Sequence, residues 1–171
     1  MTARIHIIGR KNSGKTTLIV DLIAELSGRG LRVGTIKHTH HHHELDVPGK
    51  DSFRHRQAGA TPVAIVSPGM TAVFRPNASG RAADGYDWIA PAFGDCDLVL
   101  VEGDSQAAAV KVEVWRSVCD TAPMAADDPA IAAVISDDAP TVRQDVWPRA
   151  GIAALADRMW NLAQSAKQAT G

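Results

Sequence analysis

Cysteine is scarce in this chain, charge of one sign is not in excess, and long apolar runs are missing. There are two cysteines in 171 residues, Cys96 and Cys119, with no C-x-x-C and no ligand cluster around either. That excludes a disulfide scaffold and leaves the expectation of two free thiols in a reducing cytosol. Eighteen Lys and Arg against nineteen Asp and Glu leave a formal net charge of −1. No global field therefore draws nucleic acid or an anionic membrane to the protein. No apolar run approaches the roughly 18 residues needed to span a bilayer. The N-terminus is a short polar-apolar mix that runs straight into a motif, so no signal peptide is expected. A cytoplasmic protein with neither nucleic-acid nor membrane partners is the expectation. Internal repeats, low-complexity tails and dividing linkers are also lacking. With 45% hydrophobic and 22% charged residues, the composition is that of a folded globular domain. The length suffices for a sizeable core without staples, so a single domain over 1–171 is expected.

What is present alternates between strand and helix signals. Ile5, Ile7 and Ile8 form a β-branched run that ends at Gly9. Leu18, Ile19, Leu22, Ile23 and Leu26 then recur at helical spacing and stop near Gly28 and Gly30. Leu31 to Ile36 predicts a second strand, followed by a polar, His-rich loop over 37–50. Asp51 or Ser52 is positioned to cap a short helix ending near Gly59. Pro62 to Val66 and Thr71 to Phe74 predict two strands across Pro68-Gly69, and Tyr86 to Phe93 a short helix interrupted by Pro91. Leu98 to Val101 is a continuous apolar run, as in a buried central strand. Val110 to Trp115 alternates, predicting one wet face. A loop over 116–129, a buried strand Ile131 to Ile135 and a closing helix Gly151 to Ala166 complete the chain. This order predicts βαβ units: a mostly parallel sheet with helices on both faces and some antiparallel strands.

The strongest signal is Gly9-Arg10-Lys11-Asn12-Ser13-Gly14-Lys15-Thr16, which fits G-x-x-x-x-G-K-[ST] at every fixed position. Glycines let the backbone curl so that successive N–H groups point inward, and the following helix adds its positive end. Chance would produce the pattern less than about once in a hundred chains of this length. Here it also falls between a predicted strand and a predicted helix, which points to a P-loop NTPase fold. Gly9, Lys11, Asn12, Ser13 and Gly14 would supply the cradle, and Thr17 a further hydroxyl near the α-phosphate. Lys15 would reach the β- and γ-phosphates, while Thr16 would ligate Mg²⁺. The Mg²⁺ shell calls for a second acid at a strand end, and Glu102 supplies one after Leu98-Val99-Leu100-Val101.

His38, His40, His41, His42 and His43 cluster within the 37–50 loop beside Glu44 and Asp46. Imidazoles with carboxylates bind transition metals, yet these lack a spacing that converges four ligands, and a solvated loop over the active site is the plainer reading. Loops after parallel strands gather at the carboxyl edge of the sheet. Asp46 or Asp51 could therefore touch Mg²⁺ or an attacking water, and Lys50 and Arg54 could meet phosphate.

Together, the phosphate loop through Thr17, Ile36-Lys37-His38-Thr39-His40-His41, Asp46-Val47-Pro48-Gly49-Lys50-Asp51-Ser52, Ala58-Gly59-Ala60 and Leu100-Val101-Glu102-Gly103 resemble the MobB family. These are the molybdopterin-guanine dinucleotide biosynthesis adapter proteins. The likeness covers most of the chain and is densest from Gly9 to Ala60. It implies a homodimeric GTP-binding protein with weak GTPase activity, which assists the nucleotidyltransferase MobA in attaching GMP to molybdopterin. Carried over, Lys15 and Thr16 hold phosphate and Mg²⁺, and Glu102 is the strand-end acid. Asp46, Lys50, Asp51 and Ser52 then stand near substrate or the γ-phosphate. The family continues V-E-G-F-K where this chain has Asp104-Ser105, so a contact made there by an aromatic and a lysine does not carry over. Guanine is usually read by N-K-x-D, which is missing; Asp137 or Asp138 could supply that carboxylate.

Two other functions compete. A metallocentre-assembly GTPase would use the loop from His38 to His43. A small-molecule kinase would need an Arg-rich lid, and residues 76–84 carry only Arg81.

Overall fold

The computed structural model describes residues 2–39, 44–77 and 84–169. Within the single expected domain the chain divides into two compact units, one of residues 1–38 and 92–171, the other of residues 39–91.

The first unit is built on a six-stranded parallel sheet. Its strands are β1 (Ala3–Ile8), β2 (Val33–Lys37), β5 (Leu98–Glu102), β6 (Val110–Val114), β7 (Ile131–Ile135) and β8 (Asp145–Trp147), in the order β2-β5-β1-β6-β7-β8. β1 pairs with β5 on one side, Ile7 opposite Glu102, and with β6 on the other, Ile8 opposite Glu113. The chain leaves β1 toward β2 on one side and later returns to β6 on the other. The end of β1 is thus the point where strand order reverses, the place such sheets use to hold ligands.

α1 (Lys15–Gly28) and α4 (Ile152–Ala169) cover one face of this sheet. Leu18, Leu22 and Leu26 lie three and four residues apart on one side of α1, and each is 0% exposed. They pack with Ile5, Ile7, Leu98 and Leu100 from the sheet and Leu155 and Met159 from α4. Each such side chain contributes about 1.5–3 kcal/mol by leaving water. The opposite face is covered around Ile8 and Val134 by the 3₁₀ turn Met124–Ala126.

That cover changes the reading of β6. The alternation Val110 to Trp115 predicted a wet face, but Lys111 and Glu113 are both buried, Glu113 completely. The Glu113 carboxylate accepts hydrogen bonds from the Met124 and Ala125 amides, 2.8 Å each. Lys111 Nζ donates to Asp128 at 2.9 Å and to the Ser105 carbonyl at 3.2 Å. These polar residues therefore fasten the turn to the sheet instead of facing solvent. β8 is an addition to the expected elements; three residues are too few to show a period.

The second unit holds α2 (Asp51–Gln57), α3 (Asp84–Ile89) and a hairpin of β3 (Val63–Val66) and β4 (Thr71–Phe74), which form a separate two-stranded antiparallel sheet. α2 starts where expected, but its cap residue is Lys50, without a side-chain cap bond. Ser52 instead donates its hydroxyl to Asp46 Oδ1 at 2.9 Å. Among the described residues, no helix is long and apolar enough to cross a membrane.

Candidate functional site

The loop between β1 and α1 must curl within six residues, Gly9 to Gly14. Gly9 has φ +142°, and a Cβ there would lie 2.3 Å from the Val114 carbonyl oxygen, so only glycine fits. Gly14 has φ +93° and caps α1 with no side-chain bond to the first-turn amides. Those amides are left for a ligand at the positive end of the helix dipole.

Two hollows open at the carboxyl edge of the sheet. The first, about 480 Å³, is lined by Lys11, Asn12, Gly14, Lys15, Thr16 and Thr17 of the loop and by Glu102 and Arg116 from the neighbouring strand ends. The second, about 410 Å³, shares Gly14, Thr17 and Arg116 with it and continues along Trp115, Ser117, Ser136, Asp137 and Asp138. Ser13 also lines this second hollow, and its buried hydroxyl has no partner among the described residues.

Inside the loop, Lys15 Nζ donates to the Gly9 and Arg10 carbonyls at 2.9 and 2.7 Å. Its pKa is pushed down from the ordinary lysine value, chiefly by burial and against the pull of Glu102. An incoming phosphate would relieve that desolvation by supplying negative charge. Thr16 Oγ1 donates to Glu102 Oε1 at 2.9 Å, and Lys37 Nζ stands 3.3 Å from the same oxygen. A hydroxyl and a carboxylate in contact are the hard oxygen donors that Mg²⁺ takes, so these residues fit the ion that the motif implies.

The structure gathers most of the expected phosphate ligands, Lys11 to Thr17 and Glu102, in one place. Asp137 and Asp138 reach the second hollow. Asp137 Oδ1 accepts from the Ala150 amide at 2.8 Å, and Asp138 Oδ2 from the Ser117 amide at 2.7 Å. Hydrogen bonds from Ser117, with a smaller pull from Arg116, hold the Asp138 carboxyl below the usual range.

Asp46, Lys50 and Asp51 belong to the second unit. Asp46 is buried and accepts from the Val47 amide and the Ser52 hydroxyl, with Arg56 Nε 3.6 Å from its other oxygen. Asp51 is exposed in the first turn of α2. His40 to His43 lie outside the described residues. Among those described, no three His, Cys, Asp or Glu side chains gather as a metal site. Asp104 has φ +60° and is buried, its carboxylate 3.5 Å from His38 Nδ1. The departure from the family pattern is thus absorbed as an internal contact.

Sequence reasoning passed over Arg116, because residues 116–129 carried no periodicity. Its position two residues beyond β6, at the same edge as Glu102, was the available signal.

Comparison with known proteins follows the same lines. The family model for molybdopterin guanine dinucleotide synthesis protein B, MobB, matches residues 4–137. This chain belongs to the MobB family. Its relatives in the family include the molybdopterin-guanine dinucleotide biosynthesis adapter protein of Haemophilus influenzae, 36% identical over 135 residues, 78% of this chain and 74% of that protein. The crystal structure of a MobB homolog from Bacillus stearothermophilus superposes with a TM-score of 0.67 at 27% identity, over 95% of this chain and 98% of the other. The family's role lies in molybdopterin-guanine dinucleotide biosynthesis, and the fold is that of the MobB P-loop proteins. A more distant likeness, 36% over 137 residues, joins 73% of this chain to 61% of the urease accessory protein UreG of Mycolicibacterium gilvum.

Proposed function

We propose that this protein binds GTP with Mg²⁺, hydrolyses it slowly, and acts as an adapter for a MobA-like guanylyltransferase that attaches GMP to molybdopterin. The observation that carries this reading is the glycine-shaped loop whose uncapped helix end, Lys15 and Thr16–Glu102 pair converge on one hollow. Polyphosphate would lie along the loop amides, Lys15 would turn from the Gly9 and Arg10 carbonyls to the β- and γ-phosphates, and Thr16 and Glu102 would hold Mg²⁺. The ion would neutralise charge on the phosphates. Asp137 is the proposed reader of guanine, and Asp46 and Asp51 the proposed acids near Mg²⁺ or the attacking water. A cytoplasmic homodimer completes the reading. Ile65, Val66, Met70 and Val73, between 41% and 77% exposed on the small hairpin, support self-association.

Titration calorimetry with GTP and ATP, with and without Mg²⁺, tests it. Lys15→Ala should weaken GTP binding by about 10- to 150-fold, the loss of a charge-assisted phosphate contact of roughly 1.5–3 kcal/mol; unaltered affinity would overturn the reading. Glu102→Gln should weaken binding more with Mg²⁺ than without it, and equal losses would remove Glu102 from the metal shell.

The likeness to UreG favours a second reading, a metallocentre-assembly GTPase using the loop from His38 to His43. It predicts stoichiometric Ni²⁺ or Zn²⁺ binding that disappears when His40 to His43 are replaced.

A further inference from the structure

We infer that Arg116 is a contact for the α-phosphate of the bound nucleotide, held at the junction of the two hollows by Asp138. The inference rests on the nucleotide reading above.

Arg116 follows β6, which flanks β1 on the side opposite β5. The phosphate loop is therefore bracketed by an acid, Glu102, at one neighbouring strand end and a guanidinium at the other. Among the described residues, only Gly14, Thr17 and Arg116 line both hollows. The first hollow holds Lys15, Thr16 and Glu102, the groups suited to the β- and γ-phosphates and Mg²⁺. The second has the aromatic and carboxylate lining suited to a base. A nucleotide occupying both must pass its α-phosphate between them, beside Arg116.

Two other cations at the hollows are engaged, and Lys11 lines only the first. Lys15 binds its own loop, and Arg149 Nη2 lies 2.5 Å from Asp21 Oδ2. The Arg116 guanidinium forms no hydrogen bond or ion pair with the described residues, while its backbone carbonyl accepts from the Cys119 amide at 3.1 Å; the Asp138 carboxylate is the neighbouring charge that it favours. The backbone beneath Arg116 is fixed from both sides. The Trp115 amide donates to the Ile135 carbonyl at 3.1 Å, and the Ser117 amide to Asp138 Oδ2 at 2.7 Å. Cys119 Sγ, one turn on, lies 3.8 Å from the Lys11 carbonyl. Asp138 thus acts as a positioning residue through the Ser117 turn, and a planar guanidinium suits two phosphate oxygens at once.

The test is calorimetric titration of GTP, GDP and guanosine in Mg²⁺. Arg116→Ala should weaken GTP and GDP by a similar factor, about tenfold, and leave guanosine unchanged. Arg116→Lys should restore part of the loss. Asp138→Asn should cost about two- to threefold alone and nothing further on the Arg116→Ala background, since the two act as one unit. An Arg116→Ala loss confined to GTP would overturn the α-phosphate assignment. Nucleotide binding indifferent to Arg116→Ala would sink the inference alone. Wild-type protein that bound no nucleotide would sink the nucleotide reading and this inference with it. An Asp138→Asn loss that persisted without Arg116 would overturn the positioning role.

Discussion

β5 and β3 are short strands of nearly the same chemistry, Leu-Val-Leu-Val-Glu and Val-Ala-Ile-Val, with opposite fates. In β5, Leu98, Leu100 and Val101 are 0% exposed; in β3, Ile65 is 43% and Val66 77% exposed. The difference lies in what surrounds them. β5 has a paired strand on each side and α1 packed over it. β3 has one partner, β4, in a sheet of two. An apolar residue is buried by its neighbours, not by its own hydropathy, and an isolated two-stranded ribbon cannot cover both of its faces. The first unit therefore holds most of the buried apolar surface, while the second leaves apolar side chains open to a partner.

Truncating both strands tests this contrast most severely. Leu100→Ala should lower unfolding free energy by about 2–5 kcal/mol in denaturant titrations. Val66→Ala should stay within about 0.5 kcal/mol of wild type. Equal costs would mean that the hairpin is covered in solution and that the contrast does not hold. A smaller effect is expected from Glu113→Gln, which turns one amide N–H of the 124–126 turn toward a donor. A loss of about 1–3 kcal/mol in the same titration is expected, whereas a neutral result would make the buried acid dispensable.

The pH dependence is weaker still. His6 on β1 is 0% exposed, and burial, helped by Arg4, holds its pKa below 6.5. The unfolded chain then binds the proton more readily. The His6 contribution is complete above about pH 6.5 and is lost as pH falls from there through the depressed folded value. A melting temperature that declines as pH drops below 6.5 is expected; a flat profile would show that His6 takes its proton in the folded state without penalty. The smallest stability effect belongs to Val66→Lys, within about 0.5 kcal/mol, although it should weaken self-association in sedimentation if that hairpin carries the dimer contact.

How much the sequence reveals depends on the range over which each signal acts. The phosphate loop was legible because its demands are local: Gly9 takes φ +142° and Gly14 φ +93°, and Lys15 and Thr16 follow in fixed register. The core faces of α1 and β5 were legible because period and apolar runs survive in short windows. Arg116 and Asp138 were not joined on paper, since they lie at the ends of two neighbouring strands and meet through sheet order alone. β6 misled for the same reason. An alternating strand normally has one wet face, but a turn more than ten residues downstream folds over Lys111 and Glu113 and binds them.

The sequence by itself determined that a curled glycine loop follows a β-branched strand and precedes an amphipathic helix, because backbone sterics and side-chain period act over a few residues. Only the tertiary structure decided that Glu102 meets Thr16, that Arg116 borders two hollows, and that β6 is buried on both faces. Those outcomes depend on which strands become neighbours, and strand order is set by packing across the whole sheet.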